Sequence, residues 1–148
     1  MEFPQKIGLE VVRINKDIPL PKYMYKGDAG MDVCSAIDYE VRGGEHAIIP
    51  TGLKLGIPYG YEIQIRPRSG LAAKHKITIL NSPGTIDHQY RGELKVVVIN
   101  HSNKPFKINK GDRIAQMVLK PVVFAEVIEK EELEDTQRSN NGFGSTGL

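Results

Sequence analysis

The chain has 148 residues, room for one domain with a real core. Twenty basic against 18 acidic side chains leave a net charge of +2, and the aromatics are six Tyr and four Phe with no Trp. Neither an overall basic surface nor an interleaved aromatic and basic one is visible, which excludes the usual nucleic-acid-binding classes. No apolar run reaches the roughly 18 residues of a membrane span, and residues 1–5 lack a basic stretch followed by an apolar one. The single Cys34 makes no internal disulfide, so a reducing, intracellular setting is expected: cytoplasm, or nucleus in a eukaryotic or viral context.

Nine Pro and 15 Gly punctuate the chain about every ten residues, and short runs rich in Val, Ile and Tyr lie between them. Regular short strands with turn signals predict an all-β sandwich or barrel. In chain order, residues 7–11 alternate apolar and other side chains and read as a strand. Asp28-Ala29-Gly30-Met31-Asp32-Val33 follows, where small residues permit close backbone approach and a carboxylate comes directly after; its plain reading is a surface turn entering a strand.

Residues 61–66 alternate cleanly, the period of a half-buried strand. This strand runs into Arg66-Pro67-Arg68-Ser69-Gly70-Leu71-Ala72. The best helix candidate is Ser69–His75, with Ser69 as its N-cap. Free N–H groups at a helix start, together with the Arg68 fork of donors, suit a phosphate; a capped helix with solvated arginines is the plain alternative.

The stretch from Asn81 to Glu93 (Asn81-Ser82-Pro83-Gly84-Thr85-Ile86-Asp87-His88-Gln89-Tyr90-Arg91-Gly92-Glu93) is hairpin-like, with a carboxylate near its apex and an aromatic three residues on. Either Asn81 and the backbone around Gly84 read the edge of a base, or Asp87 satisfies local N–H groups in a long turn. Residues 94–99 are mostly β-branched and predict a strand buried on both faces. Lys110-Gly111-Asp112-Arg113 opens the last major strand, with Asp112 and Arg113 expected to pair. Gln116 is a polar group within the apolar run 115–124, which Pro121 splits. Residues 129–135 are acidic, either one helical turn or a solvated linker.

The composition then shifts to Gly, Ser, Asn and Thr. Residues 137–148 have one aromatic, Phe143, and almost nothing to bury, so the organisation expected is a β domain over 1–136 and a mobile arm over 137–148. Glycines let such an arm wrap closely around a ligand. No dinucleotide, P-loop, zinc-protease, nucleophile-elbow or CxxC signature is present, and His46, His75, His88 and His101 lack metal-ligand spacing.

In this order and spacing, five segments resemble the five motifs of trimeric deoxyuridine triphosphatases (dUTPases). The most specific are Pro67-Arg68-Ser69-Gly70-Leu71-Ala72, Gly84-Thr85-Ile86-Asp87 with Tyr90-Arg91-Gly92-Glu93, Gly111-Asp112-Arg113-Ile114-Ala115-Gln116, and Gly142-Phe143-Gly144-Ser145-Thr146-Gly147. The resemblance implies a jelly-roll-like distorted β-barrel or sandwich with one short helix and a flexible C-terminal arm. It also implies a homotrimer with active sites shared between subunits, and Mg²⁺-dependent hydrolysis of dUTP to dUMP and pyrophosphate by attack of water at the α-phosphorus.

By the same resemblance Asp87 aims and activates the water, and Asp32 holds the metal through water. Arg68, Ser69, Gly70 and Gln116 match phosphate-binding positions. Asn81, Gly84, Thr85 and Ile86 match the uracil-reading hairpin, with Tyr90 under the deoxyribose. Arg138, Phe143, Gly144, Ser145 and Thr146 match the arm, Phe143 over the base and the two hydroxyls on the γ-phosphate. Ser139-Asn140-Asn141 stands where the family often has more glycine, and Gln89 where an acidic residue is common. A dCTP deaminase of the same fold is the nearest alternative; it is expected to carry a second arginine where this chain has Ala73. A non-catalytic nucleotide sensor is the other, and the intact Asp32 and Asp87 speak against it.

Overall fold

The computed structural model describes residues 6–147; residues 1–5, expected to carry no leader, and Leu148 of the arm lie outside it. Ten strands and one short helix follow in order: β1 (Glu10–Arg13), β2 (Met31–Cys34), β3 (Tyr39–Val41), β4 (His46–Gly56), β5 (Tyr61–Arg66), α1 (Ser69–His75), β6 (Ile77–Ile79), β7 (Gly84–Ile86), β8 (Glu93–Asn100), β9 (Phe106–Ile108) and β10 (Arg113–Pro121). Two four-stranded antiparallel sheets, β1-β4-β8-β6 and β2-β10-β5-β7, share one core, and β3 pairs with β9 at the side. This is the all-β architecture expected, with one helix.

The core is made by alternation. Ile49, Leu55, Leu94, Val96 and Val98 of one sheet meet Val33, Ile63, Ile65, Ala115 and Met117 of the other. Each of these Val, Leu, Ile and Met side chains contributes about 1.5–3 kcal/mol by leaving water, and Ala115 less. β4 is the longest strand, 11 residues, although Pro50 and Gly52 interrupt its sequence. They sit where the β4–β8 register shifts between Pro50 and Lys54. Pro is tolerated at such a bulge, and Gly52 adopts a left-handed φ of 71° there. Thr51 Oγ1 donates to Leu94 O at 2.6 Å and stitches the bulge to β8.

Asn100, fully buried at the end of β8, ties the sheet to the β3–β9 pair. Its Nδ2 donates to Val41 O (3.0 Å) and Lys104 O (2.7 Å), and its Oδ1 accepts from Ser102 N (2.9 Å) and Ser102 Oγ (2.7 Å). Every polar atom of the amide is thus satisfied.

Three expectations are corrected, and one open alternative is decided. Residues 7–9 precede the first strand, which is Glu10–Arg13 and pairs Glu10 with Gly56. β8 is buried on one face only: Leu94, Val96, Val98 and Asn100 point inward, whereas Lys95 is exposed and Val97 and Ile99 are half-buried. α1 has the expected bounds, but its N-cap is Arg68, in extended conformation with no side-chain cap. Ser69 is already the first helical residue, so its hydroxyl is not used as a cap. Of the two readings for residues 129–135, the solvated linker holds: they form no helix and are exposed.

β10 ends at Pro121, and beyond it Val123, Val127, Ile128 and Leu133 are exposed. Among the described residues, every hydrogen bond of the 136–147 stretch stays inside it.

Candidate active site

Strand register brings the first, second and fourth segments together. Asp32 of β2 pairs with Gln116 of β10, and Gln116 pairs with Arg66 of β5. Gln116 lies between the buried Ala115 and Met117, and Asp32 beside the buried Val33. A bulge between Arg113 and Ala115 in the β10–β2 register re-aims Arg113. Asp32 Oδ1 accepts Arg68 Nε at 3.0 Å, and Oδ2 accepts Arg113 Nη1 at 3.2 Å. Arg68 Nη1 also donates to Arg113 O at 3.3 Å.

Gln116 is held by its own bond, Nε2 donating to Pro67 O at 3.0 Å. Its amide fills the space beside Gly30, where a Cβ would overlap Gln116 Oε1. The small residue ahead of β2 is therefore required by the glutamine across the sheet. Ser69 and Gly70 are exposed at the start of α1. The first N–H groups of a helix have no partner within it, so this backbone is available to an anion. Cys34, half-buried behind Asp32, has its thiol pKa pushed up by burial first and by the Asp32 charge next; Arg113 and Arg68 pull it down by less.

The third segment forms a separate group. β5 and β7 pair Ile63 with Ile86, Gln64 with Thr85 and Ile65 with Gly84. Asn81 Nδ2 lies 3.3 Å, and Ile65 Cβ 3.4 Å, from where a Gly84 Cβ would stand, so the buried Gly84 lets the Asn81 amide close on the backbone. Thr85 and Asp87 are exposed and Ile86 is half-buried. Asp87 accepts Tyr90 N at 3.1 Å through its backbone carbonyl. Its carboxylate makes no hydrogen bond among the described residues, which removes the reading of Asp87 as a local turn acceptor. Tyr90 Oη donates to Glu93 O at 2.8 Å, and the ring lies so close over Gly92 that a Cβ there would stand 2.7 Å from its Cζ.

The two groups sit at opposite ends of one strand. Asp87 is one residue beyond the Ile86–Ile63 pair, whereas Gln116 pairs with Arg66, and Arg68 lies further on still. At about 3.3 Å per residue this register separates Asp87 from the Gln116 level by roughly 13 Å along β5. Arg138, Phe143, Gly144, Ser145 and Thr146 are brought to neither group. Arg138 Nε donates to Asn141 O at 3.0 Å, and the Phe143 ring is fully exposed.

One pairing departs from the sequence reading. Asp112 and Arg113 do not pair: Asp112 Oδ2 accepts Asn109 N at 2.8 Å and closes the turn into β10, and Arg113 reaches Asp32. Arg113 is thus a member of the Asp32–Arg68 cluster that sequence reasoning missed; its place in the Gly-Asp-Arg run was the available signal. No group of three or more His, Cys, Asp or Glu among the described residues forms a metal cage. No helix is long and apolar enough to cross a membrane among those residues.

A family model for dUTPase matches residues 16–147. The deoxyuridine 5'-triphosphate nucleotidohydrolase of Nautilia profundicola is 56% identical over 139 residues, covering 94% of this chain and 98% of that protein. The enzyme of the same name from Hydrogenobaculum sp. is 52% identical, covering 95% of this chain and 98% of the other. Among solved structures, a point mutant of the dUTPase of Staphylococcus bacteriophage 80alpha with dUpNHpp superposes with a TM-score of 0.88 at 29% identity, covering 97% of this chain and 100% of that one. A point mutant of the dUTPase from phage phi11 of S. aureus, described with a structural Mg(II) ion, gives 0.80 at 27% identity and covers 87% and 100%. With its five segments in order and its fold matched throughout, the chain belongs to the dUTPase family.

Proposed function

We propose that this dUTP diphosphatase builds each active site from more than one copy of the chain, as a homotrimer, and cleaves dUTP to dUMP and pyrophosphate by attack of water at the α-phosphorus. The β5 register carries the reading. A phosphate-binding cluster and a water-aiming carboxylate roughly 13 Å apart along one strand serve one bond only if a neighbour supplies one of them. Exposed apolar residues after β10 and the half-buried outer face of β8 leave surface for such neighbours.

In this site Arg68, Ser69, Gly70 and Gln116 bind the triphosphate, and Arg113 braces Arg68 through Asp32. Positioning and charge neutralisation carry most of the rate in phosphoryl transfer. Asp87 aims the attacking water, and its free carboxylate oxygens suit that role. An ordinary aspartate is a weak base at neutral pH, so orientation matters at least as much as proton abstraction.

Asn81 and the backbone of Gly84, Thr85 and Ile86 read uracil. Cytosine presents a donor where uracil accepts, which leaves unpaired groups, and the methyl of thymine overlaps the hairpin. The Tyr90 ring, fixed over Gly92, excludes a ribose 2′-hydroxyl. Residues 137–148 act as a mobile arm: Arg138, Ser145 and Thr146 close on the phosphates with Gly144 allowing the bend, and Phe143 covers the base.

Each Asp32 oxygen accepts one guanidinium N–H and keeps a second lone pair, so the cluster fits a cation held through water. Mg²⁺ bound on the triphosphate would supply charge neutralisation there, with Asp32 as its protein anchor.

Co-expression of Arg68→Ala chains with Asp87→Asn chains tests the shared site. Each variant alone is expected to be inactive. Randomly assembled mixtures should recover about a quarter of wild-type activity, because some sites then draw both intact residues from different chains. Absence of recovery, with sedimentation showing mixed assemblies, refutes the shared site.

A further inference from the structure

The turn at residues 57–61, between β4 and β5, touches two parts of the molecule at once. On one side it holds the catalytic turn: His88 Nδ1 lies 2.9 Å from Ile57 O, and the His88 ring meets the Tyr59 ring edge-on at 5.5 Å and 82°. On the other it holds the start of the segment that leads to the arm. Val122 N donates to Gly60 O at 2.8 Å, and the Phe124 ring stacks on Tyr59 at 5.6 Å and 16°. Ile57 itself is buried in the core. The turn therefore presents a carbonyl to one segment and a ring that touches both segments.

His88 directly follows Asp87, whose own carboxylate has no partner within the chain among the described residues. The Asp87 backbone must then be aimed by its neighbours. Three bonds do this: Tyr90 N to Asp87 O at 3.1 Å, Arg91 Nη1 to His88 O at 2.6 Å, and the His88–Ile57 contact. The first two stay within the turn and fix its shape. Only the last, with the Tyr59 ring beside it, ties the turn to the rigid body of the β4–β5 connection.

We propose that His88 is a positioning residue for Asp87, and that the Phe124–Tyr59–His88 stack couples the root of the C-terminal arm to the orientation of the catalytic turn. This rests on the reading of Asp87 as the water-aiming residue. The coupling follows from geometry: Phe124 stacks on the same Tyr59 ring that meets His88, so displacing Phe124 removes one of the contacts that hold that ring against His88. In a trimer whose arms cross between subunits, the site an arm closes and the site its own Asp87 serves need not be the same. The stack would then carry a signal from one to the other.

The test measures kcat, KM for dUTP and binding of the non-hydrolysable analogue dUpNHpp for His88→Ala, His88→Asn, Phe124→Ala and His88→Ala/Phe124→Ala. Misplacement of a reacting group by a fraction of an ångström to an ångström costs roughly tenfold to a hundredfold. His88→Ala is expected to lower kcat about tenfold with analogue affinity within about twofold of wild type. In His88→Asn the amide Nδ2 takes the place of the ring Nδ1 and should restore most of kcat. Phe124→Ala should lower kcat by about threefold, and it should add nothing on the His88→Ala background.

Unchanged kcat in His88→Ala overturns the proposal. So does equal loss of kcat and analogue binding with a lower Tm and no recovery in His88→Asn, which is the behaviour of a merely structural residue. Fully multiplicative effects of the two substitutions overturn the coupling. The underlying reading fails separately: if Asp87→Asn keeps its turnover, Asp87 is not the water-aiming residue, whatever His88 does.

Discussion

Replacing Gly30 by alanine should remove function while leaving the fold nearly intact. A Cβ at Gly30 would overlap Gln116 Oε1, and the next nearest atoms, at 3.2 and 3.5 Å, also belong to the Gln116 side chain. Everything in the way is one flexible side chain and no backbone. The glutamine can therefore rotate off, losing its Nε2 bond to Pro67 O. A net loss of one hydrogen bond costs about 0.5–1.5 kcal/mol. For a domain of this size that is a fall in Tm of roughly 2–6 °C. On its proposed role, Gln116 also gives the triphosphate a hydrogen bond; a bond to a charged phosphate is worth about 1.5–3 kcal/mol, so losing it lowers kcat/KM roughly tenfold to 150-fold. Pyrophosphate release gives the rate and calorimetry the Tm. Gln116→Ala should show the same kinetic loss, and the double variant little more than either alone. Wild-type kcat/KM in Gly30→Ala would refute the argument that Gln116 occupies that space to bind substrate. A fall in Tm well beyond about 10 °C would refute the claim that only a side chain must move.

Two further outcomes follow from single sites. Asn100→Ala removes the amide's bonds to Val41 O, Lys104 O and Ser102 N, and leaves the carbonyl of the buried Val41 without that donor. It should cost about 3 kcal/mol, read as a shift in the urea midpoint without a change in m; a loss below about 0.5 kcal/mol would show that the buried amide is not what joins β8 to the β3–β9 pair. For Cys34, burial and the Asp32 carboxylate raise the thiol pKa, while Arg113 and Arg68 lower it. Asp32→Asn deletes an upward push and keeps both downward ones, so the pKa falls, the thiolate fraction at about pH 8 rises, and alkylation quickens. A pH profile of alkylation that is unmoved, or shifted upward, contradicts this sign.

Much of the fold was legible where the local pattern and the tertiary environment agree. The alternation at residues 61–66 and the Ala- and Leu-rich run at Ser69–His75 fell on β5 and α1 with their bounds intact. β4 was not legible, because Pro50 and Gly52 look like breakers and are in fact the bulge of an 11-residue strand. β8 read as buried on both faces because β-branched residues occupy both, yet burial depends on a second layer that no residue within the strand encodes. The site followed the same division. Residue identities in the five segments pointed to the cluster, but the partner of Arg113 did not follow from adjacency. Asp112 is spent on closing a turn, and the bulge sends Arg113 across the sheet to a residue 81 positions away. Neither Pro67 O as the anchor of Gln116 nor the Tyr59–His88–Phe124 contacts has any local signature at all.

If Arg68 binds the triphosphate as proposed, the substrate enters a site that already contains a paired cation. Arg68 and Asp32 are both more than two-thirds withdrawn from solvent, at 27% and 22% exposure. A half-buried guanidinium without a partner would carry a desolvation cost and would swing toward water before substrate arrived. Asp32 prevents this by engaging Nε, the donor nearest the chain, while the Arg113 carbonyl takes one of the terminal N–H groups. The remaining donors of the planar fork stay unspent and held in one orientation, available to an anion without prior rearrangement. The carboxylate therefore works against anion binding through its charge and for it through pre-organisation. Arg113, on its other oxygen at 3.2 Å, offsets part of that charge. Two guanidinium groups around one carboxylate leave the cluster with a net positive charge, so a triphosphate bound there as proposed would meet attraction and a fixed set of donors together.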